Sequence, residues 1–111
     1  MKNRKSELRE IVLDILLYKE KVMFSPSQFG HLTAGVAEVL FRRDNPNSDA
    51  FRGIAFPPER ELEENDWLLV QEIFWDLVSE RIINVGMDSA NAQYPWFRLH
   101  SEAEEKLGIA Q

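Results

Sequence analysis

Residues 65–100 read NDWLLVQEIFWDLVSERIINVGMDSANAQYPWFRLH. Trp67, Val70, Ile73, Phe74, Leu77 and Val78 recur at three- and four-residue spacing and predict one buried stripe along a long helix. Glu72, Asp76, Ser79 and Glu80 fall on the opposite side, the expected solvent face. Leu68 and Trp75 fall on the border between the two. Arg81 lies on the apolar side near the helix end, where its stem can pack while its head reaches water. Beyond the helix, Ile83 and Val85, then Phe97 and Leu99, alternate with polar neighbours, as two paired half-buried strands should. The loop between them, 86–95, is too long for a tight hairpin.

Upstream, Leu8, Ile11, Val12, Ile15 and Leu16 predict a helix over 6–19, with Leu13 and Leu17 widening its apolar face. Residues 21–24 (KVMF) favour an extended conformation through Val and Phe. Ser25-Pro26-Ser27-Gln28 has the form of a helix start, with Ser25 as cap, Pro26 in the first turn and Gln28 closing a capping box. Phe29, Leu32, Val36, Val39 and Leu40 then keep a helical period. Gly30 and Gly35 weaken it, each by about 1 kcal/mol relative to Ala, so one helix and two short ones broken near Thr33 both fit. Arg42 and Arg43 close this segment, where positive charge suits the helix dipole.

Residues 44–64 form a connector, broken by Asn-Pro, Arg-Gly and Pro-Pro. Its Phe51, Ile54 and Phe56 are expected to tuck onto the core, and its length suits a functional loop. Glu59, Glu61, Glu63 and Glu64 precede the long helix and favour its N-terminus. Ser101 to Glu104 reads as a second capping box, opening a short C-terminal helix that Gly108 ends.

The order is helix, strand, helix, helix, strand, loop, strand. Residues KVMF, WDLVSERIINVG and YPWFRLHSEAEEKLG carry a resemblance to the winged-helix superfamily, over the outer two-thirds of the chain and without singling out one member. The resemblance implies an α+β, mostly helical domain spanning 1–111, with a small antiparallel sheet and a wing at about 86–95. The long helix would take the position that reads DNA. Two departures stand out. The family joins its second and third helices by a tight turn, whereas 44–64 intervenes here. Its reading helix is basic on the exposed face, whereas this one is acidic, and the wing has one Asp and no Lys or Arg. Phosphate binding depends on accumulated cations.

Composition bears on the same question. The 111 residues are 44% hydrophobic and 29% charged, with net charge −6 and pI about 4.9. That balance suits a soluble globular domain and disfavours nucleic acid and membrane surfaces. Residues 1–53 carry nine Lys/Arg against seven Asp/Glu; residues 54–111 carry four against twelve. The absence of Cys excludes disulfides and thiol chemistry. The N-terminus MKNRKSELRE lacks the apolar run of a signal peptide, and no apolar stretch reaches the ~20 residues of a bilayer span, so a cytoplasmic setting is expected.

Signals for catalysis are weak. Glu59/Glu61, Glu63/Glu64, Asp76/Glu80 and Glu104/Glu105 occupy exposed or helix-start positions, whereas acid–base work needs carboxyls in contrasting environments. His31 and His100 lack the spacing of paired metal ligands. No nucleophile elbow or phosphate-cradling glycine loop is present, and Ser25, Ser27 and Ser101 read as caps. The expectation is a non-enzymatic module without metal, cofactor or small-molecule substrate.

Leu68 and Trp75, seven residues apart on the border face, together with Tyr94 and Trp96 from the return of the wing, form a candidate protein interface. An aromatic centre with a polar rim is the anatomy of protein contacts. Its partner would be another protein or a second copy, with the chain acting as adaptor, regulator or subunit. The competing explanation is that the 44–64 connector covers Trp75. The alternative function is a DNA-binding regulator working through Lys2, Arg4, Lys5, Arg42, Arg43 and Arg52, residues that solubility and helix dipoles also explain. A further alternative is a small acidic immunity or inhibitor protein that blocks a basic partner surface, which suits the acidic half 54–111; Glu72, Asp76 and Glu80 are a candidate acidic face.

Overall fold

The computed structural model describes residues 3–46 and 62–108. Lys2, Arg52, and the connector residues Phe51, Ile54, Phe56, Glu59 and Glu61 lie outside them.

Helix α1 covers Arg4–Leu16. The Asn3 side chain caps it, accepting the Ser6 N–H at 2.8 Å. The expected span of 6–19 is shifted towards the N-terminus. Tyr18 takes a left-handed conformation (φ +59°), and the Lys19 and Glu20 N–H groups both turn back to the Asp14 carbonyl. A left-handed residue with such back-bonds is how a helix stops.

Residues 21–24 do not form the expected strand, because side chains rather than a ladder satisfy their backbone. The buried Glu38 carboxylate accepts the Met23 N–H at 3.0 Å, and Arg42 donates to the Lys21 carbonyl. Extended pairing comes a few residues later. Gln28 bridges Trp96 antiparallel, with Phe97 N–H donating to the Ser27 carbonyl and Phe29 N–H to the Pro95 carbonyl.

Helix α2 follows directly as one piece, Phe29–Asp44, running through both glycines. Ser25 lies too far upstream to cap it, and Gln28, the N-cap residue, makes no side-chain cap bond. At Gly35 a Cβ would sit 3.4 Å from both Ile15 and Val22, in ordinary contact.

Helix α3 covers Glu64–Ser79, and strands β1 (Ile83–Val85) and β2 (Phe97–Leu99) form a two-stranded antiparallel sheet. The register pairs Ile83 with Leu99 and Val85 with Phe97, as the alternation predicts. Arg81 does not snorkel along the apolar face; it adopts φ +62° at the turn that ends α3 and is exposed. A short α4 (Ala103–Lys106) closes the described chain, with Gly108 left-handed (φ +70°) after it. Its start is not the expected Ser101 box, since the Glu102 N–H donates to His100 Nδ1 at 3.1 Å.

One core joins these elements. Leu8, Ile11, Val12 and Ile15 of α1, Phe29, Leu32, Val36 and Val39 of α2, and Val70, Ile73, Phe74 and Leu77 of α3 pack with Ile82, Ile83, Phe97 and Ala103. The molecule is thus α+β, mostly helical, with a small sheet at one edge. No described helix is long and apolar enough to cross a membrane.

Candidate functional site

Helix α3 has three sides. The first, Val70, Ile73, Phe74 and Leu77, is core. The second carries acids, and α1 faces it with cations. Arg4 donates from Nε and Nη2 to the two carboxylate oxygens of Asp66 at 3.0 and 2.7 Å. Lys5 Nζ lies 3.1 Å from Glu72 and 3.0 Å from Asp76. Arg9 reaches both oxygens of Glu80 at 3.0 and 2.8 Å. The pairs run in the same order along both helices and form a charged seam beside the core.

The seam keeps Glu72, Asp76 and Glu80 exposed, as the helical count predicts, and pairs them with cations of α1. It also relocates two candidate DNA contacts. Arg4 and Lys5 are helical residues of α1 engaged with carboxylates, not parts of a loose arm. Arg42 and Arg43 are engaged as well, Arg42 with Glu38 at 3.2 Å and with Glu20, Arg43 with Glu20 at 3.8 Å. Sequence spacing within one helix could not show these partners, because each seam pair spans more than sixty residues.

The best-made pair is bidentate and half sheltered. Asp66 is buried while Arg4 stays partly exposed. The hydrogen-bonded guanidinium holds the Asp66 carboxyl below its ordinary value, and the carboxylate raises Arg4 in return. Hydrogen bonds to Asp76 and then Glu72 likewise raise Lys5. A carboxyl with a depressed folded pKa contributes stability above its unfolded value, near 3.8, and loses it as pH falls through the folded value. Asp66→Asn is therefore expected to cost on the order of 1 kcal/mol at pH 7, with Arg4 partly screened by solvent. The deficit should shrink below about pH 4. Urea unfolding of both proteins at pH 7 and pH 3 measures it.

The third side of α3 is aromatic and open. Leu68 is 45% exposed, Trp75 43%, and Trp67, expected in the core, 37%. From the loop between β1 and β2, Tyr94 (44% exposed) lays its ring on Trp75, centroids 5.6 Å apart and planes 24° from parallel. Trp67 and Tyr94 both touch Phe29, at 5.6 and 6.1 Å, and Phe74 lies beneath Trp75 and Tyr94 at 5.1 and 6.0 Å. The strip thus rests on a buried aromatic floor of Phe29, Phe74 and Phe97.

Of the four interface candidates, the fold stacks Tyr94 on Trp75 and leaves Leu68 exposed on the same side of α3. Trp96 is only partly exposed; its backbone bridges Gln28 and accepts from the Gly86 N–H. Trp67 is the member that sequence periodicity placed in the core instead.

Among the described residues, no group of three or more His, Asp or Glu side chains is placed to hold a metal ion. No family model, curated protein or solved structure matches the chain.

Proposed function

We propose that this chain is a winged-helix binding module, non-enzymatic, that works through protein–protein contact on the aromatic side of α3 and the wing. The observation that carries the proposal is the exposed row of Leu68, Trp75, Tyr94 and Trp67 on a single side of the fold. Large apolar side chains grouped on a surface mark contact sites more often than chance exposure. Aromatic anchors of this type dominate binding energy where they occur. The winged-helix comparison draws support from pairing. The residues entering α2 bridge the return strand of the wing, so a third short extended segment joins β1 and β2.

The ion pairs of α1 and α2 weigh against a DNA-binding regulator. Arg4, Lys5, Arg42 and Arg43 would have to leave carboxylates to meet phosphates. The helix in the reading position presents tryptophan and leucine where phosphate contact would need cations.

Leu68→Ser and Trp75→Ser are expected to keep the folded state and to release the protein partner that the parent chain retains through size-exclusion chromatography. Retention of that partner by both variants would remove the proposal. Salt-steep binding of duplex DNA by the parent would instead favour the regulator.

A further inference from the structure

The charge around the aromatic strip has a definite sign. Along α3, Glu64 stands one turn before Leu68, and Glu72 stands one turn after it and three residues before Trp75. Both are exposed. The seam neutralises this helix only in part: Glu72 and Asp76 share the single cation of Lys5, and the pair keeps a net negative charge. The wing adds Asp88, and residues 86–95 contain no Lys or Arg.

From this we infer that the strip takes a cationic amphipathic segment of another protein, one whose apolar side chains are flanked by Lys or Arg. The inference rests on the reading of this face as a protein interface and specifies the partner's chemistry. Apolar side chains of the segment would cover Leu68 and Trp67. Its cations would meet Glu64 and Glu72, and a guanidinium lying on the exposed Trp75–Tyr94 stack gains from the ring faces as well. A second copy of this chain is a poor occupant, because a two-fold contact brings the same acidic rims together.

Two synthetic helical peptides with the same leucine stripe test the sign, one flanked by Lys and Arg, the other by Glu. Each is titrated into the full chain and followed by tryptophan emission. The cationic peptide should bind, and its affinity should fall about tenfold between ~0.05 and ~0.5 M salt. Leu68→Ser should abolish that binding, and Glu64→Gln with Glu72→Gln should weaken it several-fold while leaving the unfolding midpoint close to the parent. Equal or tighter binding of the acidic peptide overturns the charge assignment but leaves the interface in place. Binding of the cationic peptide that survives Leu68→Ser reflects only the −6 charge of the whole chain and overturns the inference. So do binding of neither peptide and a parent dimer that Leu68→Ser dissolves; the latter assigns the strip to a second copy.

Discussion

Phe74→Ala is expected to cost about 3–5 kcal/mol, enough to leave the chain close to unfolding at 37 °C. Phe74 is fully buried on α3 and meets four rings at once: Phe29 at 5.4 Å, Phe97 at 5.3 Å, Trp75 at 5.1 Å and Tyr94 at 6.0 Å. Three of these contacts are edge-on within 5.5 Å, the geometry in which aromatic pairs add to simple burial. The site cannot collapse easily, because Phe29 begins α2 and Phe97 belongs to β2, and each is pinned through its backbone. Truncation therefore leaves a cavity beneath Trp75 and Tyr94 as well as losing apolar burial. Urea denaturation gives the loss directly, and the near-ultraviolet signal of the Trp75–Tyr94 stack should fall with it.

Gly86→Ala is expected to lose at least about 2 kcal/mol through the backbone alone. Gly86 opens the loop between β1 and β2 at φ +96°, a region that L side chains rarely adopt. A Cβ there would stand 2.6 Å from the Ala92 carbonyl oxygen, a backbone atom with no rotamer to give way. The Gly86 N–H also donates to the Trp96 carbonyl at 2.7 Å, the bond that closes the 86–95 loop ahead of β2. Relief of the clash must open that loop, so amide shifts should spread from residue 86 to Tyr94 and Trp96. An unchanged denaturation midpoint together with unchanged resonances over 86–96 would show that the loop tolerates a side chain at this position.

Much of the architecture is legible in the sequence because it is local. The apolar periods of α1, α2 and α3, the two-residue alternation of β1 and β2, and Gly108 after α4 each follow from short-range rules. The misplaced features depend on distant partners. KVMF favours a strand by composition, but Glu38 and Arg42 of α2 take up its backbone groups. Arg81 fits the apolar stripe by angle, but the chain has already turned at that residue. Both α1 and α3 end earlier than their apolar patterns suggest, since Tyr18 and Arg81 each adopt the left-handed conformation without being glycine.

The candidate site was half visible for the same reason. A helical count separates a core side from an acidic side and leaves Leu68 and Trp75 between them. Only the packing of α1 decides how those sides meet the surroundings. Arg4, Lys5 and Arg9 pair with Asp66, Glu72, Asp76 and Glu80 in a seam, and the border residues Leu68 and Trp75 form a second exposed side. The acidic side that reads along the sequence stays exposed in the fold, paired with α1, and a second exposed side, aromatic, stands beside it.

The central claim is that Trp75 belongs to the surface while its sequence neighbour Phe74 belongs to the core. The unfolding free energy of Trp75→Ser, measured in urea beside the parent, tests it most directly. A loss within about 1.5 kcal/mol is expected, the worth of an exposed aromatic pair with Tyr94 and an edge contact with Phe74. A loss of about 3–5 kcal/mol, matching that expected for Phe74→Ala, would place Trp75 in the core and contradict an interface on this face.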